Sequence, residues 1–306
     1  MKTTFAILLS ICMVSLLSLP VLGQTPPPKD NRKAGEREEL KIKGVEYAFR
    51  WCPAGTFQMG SPASETGRMD RETQHSVTLT KGFWMCETEV TQEQWKTVMG
   101  GLKNADGGDF EAIFFVDGKQ KKAKLIDSTR FLDDKKPMVC VSWNDCQEFI
   151  KKLNGMGIVP KGYKFSLPTE AQWEYASRAG TTTAYCFGDD EDKLNDYAVY
   201  SGLKPGEWSV DKIKDKHTEP VKSKKPNQWN LYDMHGNASE WCLDWYADYP
   251  GGSVTDPMGD STGTRRVFRD GSWRFTTMFS RSAFRSFGVP EFRTDYLGFR
   301  LALVSE

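Results

Sequence analysis

The chain has 306 residues, 39% hydrophobic and 27% charged, the balance of an ordinary globular protein. Lys plus Arg matches Asp plus Glu at 41 each, which gives no reason to expect nucleic acid or an acidic membrane surface as partner. The three histidines, His75, His217 and His235, share no metal-ligand spacing, so a histidine zinc site has no support.

The N-terminus reads as an address. Lys2 precedes an apolar, uncharged run from Phe5 to Leu19, and Pro20-Val21-Leu22-Gly23 follows. This pattern predicts a secretory signal over 1–23, cleaved near Gly23–Gln24, and an exported protein: periplasmic, cell-surface or extracellular. The run is shorter than the roughly 20 residues of a spanning helix, so no stable membrane span is expected after cleavage. Residues 24–44 are polar and charge-rich and contain Pro26-Pro27-Pro28, which predicts a disordered or semi-rigid tether. From Val45 onward no second linker interrupts the chain, and 45–304 reads as one domain of about 260 residues, large enough to bury a core.

Phe49 to Met59 suggests strands around the turn Pro53-Ala54-Gly55, and Ser76 to Thr80 is a β-rich run. Three capping boxes open helices. Thr91 with Gln94 opens Gln92–Met99, Ser142 with Asp145 opens Trp143–Leu153, and Thr169 with Gln172 opens Glu170–Arg178, closed by Gly180. Residues 101–136, with Gly107-Gly108 and the runs Lys119-Gln120-Lys121-Lys122 and Asp133-Asp134-Lys135-Lys136, read as a surface insertion. Turns dominate elsewhere and no βα alternation suggests a parallel sheet, so the fold class is α+β, irregular and turn-rich.

Seven cysteines are present, and Cys12 lies in the signal. Cys52, Cys86, Cys140, Cys146, Cys186 and Cys242 remain, an even number that permits disulfides in an oxidising compartment, with buried free thiols as the alternative. No C-x-x-C occurs, so neither a zinc knuckle nor a thioredoxin-type motif is supported.

Several strings in order carry a resemblance. They are Trp51 to Gly60 (WCPAGTFQMG), Glu87-Thr88-Glu89-Val90-Thr91, Val141 to Cys146 (VSWNDC), Leu167 to Ala176 (LPTEAQWEYA), Gly236 to Trp241 (GNASEW), Arg269 to Trp273 (RDGSW) and Leu297-Gly298-Phe299-Arg300. In this order they resemble the formylglycine-generating enzyme, or sulfatase-modifying factor, family across nearly all of 45–304. The resemblance implies a single domain of C-type lectin-like architecture. It also implies an oxidase that converts a sulfatase cysteine to formylglycine with oxygen and copper(I), held by two cysteines two and seven positions after the aromatic of a Gly-Gly-Ser-aromatic motif. Here that motif is Asp270-Gly271-Ser272-Trp273, and the two positions are Phe275 and Ser280. Neither side chain is a soft ligand for copper(I). The chain therefore reads as a divergent member lacking the catalytic pair, with Cys186 and Cys242 the only thiols to weigh as substitutes.

Asp233 to Glu240 offers two carboxylates seven apart with a glycine turn between, and calcium takes such oxygens together with backbone carbonyls. The resemblance implies a calcium site at Asp233, the carbonyls of Gly236 and Ala238, and Glu240. The alternative is a tight loop in which Glu240 pairs with an arginine. A second family calcium site, near Ala198, Val199 and residues 206–217, does not transfer.

Ser272 lies in no nucleophile elbow. Ser272, Trp273, Arg274 and Arg281 flank the vacated positions and are the candidates for a binding groove. The arginine-rich C-terminal third offers either an anion- or peptide-binding surface or a set of structural ion pairs, with Arg285 and Arg300 packed under aromatic residues; the structural reading is favoured for Arg300, both stay open for Arg274 and Arg281, and the tryptophans read mostly as core. Three functions follow. The first is a non-catalytic, calcium-stabilised module for a peptide or glycan. The second is a formylglycine-generating oxidase with atypical thiols, and the third an envelope assembly or structural protein.

Overall fold

The computed structural model describes residues 31–103, 111–116, 119–124, 131–207 and 209–306. The signal expected over 1–23, and the tether up to residue 30, lie outside the described residues. Among the described residues no helix is long and apolar enough to cross a membrane.

The chain opens with β1 (Arg37–Ile42), β2 (Val45–Cys52), β3 (Gly55–Met59), β4 (His75–Leu79) and β5 (Phe83–Cys86), then α1 (Gln92–Met99). A hairpin of β6 (Glu111–Val116) and β7 (Lys119–Lys124) lies inside the 101–136 insertion. Next come α2 (Trp143–Asn154), β8 (Tyr163–Ser166), α3 (Glu170–Arg178) and the single turns α4 (Leu194–Tyr197) and α5 (Val210–Ile213). The C-terminal third holds β9 (Ser239–Trp245), β10 (Ser253–Thr255), β11 (Arg266–Arg269), β12 (Arg285–Gly288), β13 (Leu297–Gly298) and β14 (Ala302–Ser305). The larger sheets run β1-β2-β5-β14-β8, β10-β4-β3 and β12-β11-β9-β13.

All three capping boxes form, each with the Ser or Thr hydroxyl accepting the N3 amide and the N3 side chain returning to the cap amide. Asp145 serves as well as Gln at that return because Arg293 holds its carboxylate, Nε to Oδ2 at 2.7 Å. Gly180 follows α3, but the left-handed residue that ends the helix is Ala179, with φ 47°.

Two apolar centres hold the sheets. Tyr47, Phe49, Trp95, Phe149, Leu153 and Phe299 lie in the first, which α1 and α2 share with the five-stranded sheet. Met59, Val77, Phe83, Trp173, Ala176 and Leu231 lie in the second, against α3.

Two expectations change, and one open alternative is decided. The tether stops short of residue 44, because Arg37–Ile42 pairs along β2 through a two-residue turn at Lys43 and Gly44, both at positive φ. Ile42 is buried and Leu40 half-buried while Lys41 points out, the alternation of a half-buried strand. Two short parallel ladders exist, β10 on β4 and β13 on β9. None of the six cysteines is in a disulfide, and all are buried as small apolar groups.

Candidate functional site

The loop after β11 turns at Asp270, whose φ is 74°. An L-residue there is strained unless a short polar side chain bonds locally. Asp270 does so: Oδ1 accepts the Gly271 amide at 2.6 Å and Oδ2 accepts the Gly236 amide at 2.8 Å. The aspartate thus fills a left-handed position and ties this loop to the Asp233–Glu240 loop. The tie is reinforced where Trp273 N–H donates to the Asn237 carbonyl at 3.1 Å and Ser239 Oγ donates to the Gly271 carbonyl at 2.8 Å.

Beyond this turn stand the two vacated positions. The Phe275 ring lies half-buried, 5.4 Å from Phe279 and 4.9 Å from Tyr296 between centroids. Ser280 is fully buried, its hydroxyl has no partner, and a Cβ on Gly271 would sit 2.6 Å from it. The Ser280 carbonyl accepts from His235 Nδ1 at 2.8 Å, while His235 Nε2 accepts the Cys186 amide at 3.0 Å. These bonds define the neutral tautomer with the proton on Nδ1, and burial lowers the His235 pKa to about 4.

Cys186 is therefore the thiol linked to this loop, and burial pushes it up to about 12. Cys242 lies in the second apolar centre, and burial raises it well above the usual thiol range. A copper(I) site of two thiolates does not fit this arrangement: the loop offers a ring and a hydroxyl, and the linked thiol is held protonated.

The four groove candidates separate. Ser272 and Trp273 are buried, and the Trp273 indole N–H donates to the Asp295 carbonyl at 3.0 Å. Arg274 is half-exposed, pairs with Asp295 at 3.2 Å and lies near the rings of Trp273 and Tyr296. Arg281 is a correction. Its guanidinium is buried, Nη1 to Glu72 Oε2 at 2.8 Å and to Glu65 Oε1 at 2.6 Å, with Nη2 on the Gly67 carbonyl. Its donors are spent inside the fold, on partners more than two hundred residues away in sequence.

Next to Arg281 opens a cleft of about 590 Å³, lined by Thr66, Thr182, Thr183, Tyr185, Glu191 and Met278 among others. Its lining is rich in hydroxyls and carboxylates. The insertion also reaches the site: Phe131 lies 6.1 Å from the Trp273 ring and 6.3 Å from His217.

In the Asp233–Glu240 loop, Asp233 Oδ2 accepts the Lys222 amide at 2.9 Å, and Oδ1 is buried without a partner among the described hydrogen bonds. Glu240 is engaged: Arg300 donates to both of its oxygens, Nη2 to Oε1 at 2.7 Å, and the Trp173 indole donates to Oε2 at 2.7 Å. The arginine pairing of Glu240 named above is thus present. Sequence reasoning missed Glu89, which is fully buried with neither carboxylate oxygen bonded. Burial drives its pKa well up, and Asp233 and Glu240 push the same way; Asp233 itself rises to about 6, mainly through burial. The one signal was its place in the Glu87–Thr91 string.

A further buried network was legible only as scattered charges. Glu170 takes Arg285 on both oxygens at 2.7 Å and Arg269 at 3.0 Å, and Glu174 takes Arg269 at 2.5 Å and Arg178 at 2.8 Å. Arg300 on Glu240 is the structural ion pair expected of it, and Arg285 proves to be one as well.

The family model described as "Sulfatase-modifying factor enzyme 1-like domain" matches residues 43–304. The formylglycine-generating enzyme of Streptomyces coelicolor is 30% identical over 82% of this chain and 87% of its own length. Among solved structures, PvdO from Pseudomonas aeruginosa superposes with a TM-score of 0.71 at 27% identity, covering 89% of this chain and 99% of that one. Treponema denticola variable protein 1 does so with a TM-score of 0.68 at 27% identity, covering 87% and 98%. The fold is accordingly C-type lectin-like, and the chain belongs to the sulfatase-modifying factor family.

Proposed function

We propose that this chain is an exported, non-catalytic member of its family: a binding module for a peptide or glycan, stabilised by calcium. The observation that carries the reading is the pair of vacated positions. Phe275 is locked into an aromatic cluster and Ser280 is sealed against Gly271, so neither approaches the chemistry of a copper thiolate. The oxidase reading with substitute thiols finds one thiol linked to the loop, Cys186, protonated and buried.

Calcium supplies charge and oxygen coordination to a loop that would otherwise bury bare carboxylates. Glu89, Asp233, Glu240 and Asp270 are all buried and all feel the Arg300 guanidinium, which bonds Glu240 directly, and the Glu89 and Asp233 carboxyls also interact with each other. Asp233, the carbonyls of Gly236 and Ala238, and Glu240 are the expected ligands, with Glu89 beside them. Glu240 contributes by sharing an oxygen that Arg300 already bonds. The set therefore rests on two carboxylates and backbone carbonyls, since among the described residues no group of three or more His, Cys, Asp or Glu side chains is placed to hold a metal.

The cleft beside Met278 and Arg281 is the proposed ligand site. Calorimetric titration with calcium should give saturable heat that Asp233→Asn removes. At a hundredfold excess over Kd, calcium should add about 2.7 kcal/mol of stability over the EGTA-treated protein. Peptide and glycan arrays probed with wild type and with Thr66→Trp, which crowds the cleft from an exposed position, test the ligand. No heat with calcium, and no array signal sensitive to Thr66→Trp, contradict the reading.

A further inference from the structure

A second cavity, of about 190 Å³, lies away from the Ser280 loop, between β4, the start of α3 and the segment after β9. A dry engineered cavity of about 150 Å³ accepts a benzene ring, so this volume suffices for a guest of a few heavy atoms. Its inner wall carries four polar side chains that are almost fully buried: His75, Glu170, Asp244 and Arg285. Met59, Ala171, Val254, Pro257 and Met258 supply the apolar part of the lining.

The hydrogen-bond accounting of these groups is one-sided. The buried donors are used. Arg285 spends Nε and Nη2 on Glu170 and Nη1 on the Ala247 carbonyl, and the Tyr249 hydroxyl donates to Glu170 Oε1 at 3.0 Å. The acceptors are only partly used, Asp244 accepting its own amide and that of Glu170. His75 Nδ1 lies 3.0 Å from the Thr73 carbonyl, an acceptor only, so Nδ1 carries the proton and Nε2 holds a lone pair with no hydrogen-bond partner. Asp244 Oδ2 accepts the Glu170 amide at 2.8 Å, while Oδ1 receives no donor from another residue. At the mouth, Asp248 and Asp260 are exposed and in no ion pair. An apolar cavity with free acceptors inside and carboxylates at its rim is complementary to a guest that brings donors and positive charge.

We propose that the His75–Asp244 cavity binds a primary ammonium group on a short apolar stem. The ammonium presents three N–H donors, enough for His75 Nε2 and Asp244 Oδ1 together, and the stem lies against Met59, Val254 and Met258. Such a group comes from a free alkylamine or from the lysine side chain of another polypeptide; both present the same chemistry. The site is separate from the proposed ligand cleft and stands whether or not that cleft binds anything.

The test is calorimetric titration of the full protein with n-butylammonium at pH 8, where Asp244, raised to about 7 by burial, is ionised. Its neutral isostere n-butanol and tetramethylammonium, which lacks N–H donors, serve as controls. Saturable binding of n-butylammonium alone is expected, weakened at least tenfold by Asp244→Asn, in which the amide oxygen still accepts the Glu170 N–H. Met258→Lys, at a position 62% exposed and therefore tolerant, places a fixed cation at the mouth and should weaken binding similarly, which decides the matter if Asp244→Asn does not fold. A Gly-Lys-Gly peptide with blocked ends that competes with n-butylammonium identifies a lysine as guest; failure to compete identifies a free amine. The proposal is overturned if n-butylammonium does not bind saturably, if n-butanol binds equally, or if folded Met258→Lys binds like wild type.

Discussion

Asp270 stands where the Gly-Gly-Ser-aromatic motif has its first glycine, and its φ of 74° restricts what can replace it. Glycine reaches that conformation freely, asparagine and aspartate reach it with local hydrogen bonds, and alanine has neither means. Asp270→Asn should therefore cost least, since it keeps the backbone and one acceptor. Asp270→Gly should lose the bonds to Gly271 and Gly236, and Asp270→Ala should lose the bonds and gain strain, standing about 1 kcal/mol below Asp270→Gly. Urea denaturation of the three variants checks the order; alanine above glycine would contradict the account of this turn. The same scale explains what was legible beforehand. Phe275 and Ser280 could be named as vacated because their places follow from counting along a motif. That Ser280 is sealed and Arg281 consumed could not, because Gly271, Glu65 and Glu72 act across the fold.

Helix α3 shows the next scale. Its capping box was readable within four residues, Thr169 to Gln172, because both partners are local. Its other duty was not: it presents Glu170 and Glu174 to arginines about a hundred residues downstream. Buried pairs of this kind stabilise little over an apolar core, yet removing one partner costs about 3–5 kcal/mol because the other charge stays buried. Beside α3, burial and the nearby Glu170 carboxylate raise Asp244 to about 7 from its ordinary 3.8. The folded state then holds a proton that the unfolded chain releases. The stability this contributes is complete below about pH 4 and is lost as pH rises through about 7, a change on the order of 4 kcal/mol. Chemical denaturation of wild type and Asp244→Asn from pH 4 to 8 should show this downward slope in the wild type and its absence from the variant. Parallel pH profiles would contradict it. His235, lowered to about 4, acts in the opposite sense, its stability being lost as pH falls from about 6.5 through 4, and the difference between the two proteins cancels it.

At the scale of the molecule, the motif strings specified the fold because each sits at a junction: Leu297-Gly298 on β9, Val141-Ser142 at the start of α2, Thr169-Glu170 at the start of α3. The part least legible was β1. Its charges suggested a tether, while its contribution comes from six backbone pairings along β2, from Ile42, and from Arg37 reaching Glu87 at 3.0 Å. A chain begun at Val45 should lose about 3 kcal/mol relative to one begun at Asn31, from Ile42 and Leu40 burial, and denaturant midpoints measure this. Equal midpoints would show that β1 is an ornament of the sheet.

The central claim is that the family's oxidation has been lost with its two thiols. The direct measurement incubates the purified protein with copper(I), oxygen, a reductant and a peptide bearing a sulfatase-type cysteine motif, and follows the peptide mass. An authentic formylglycine-generating enzyme serves as control. The account predicts conversion by the control and none by this chain. Formylglycine made by the wild-type chain, and lost in Cys186→Ser, would contradict it.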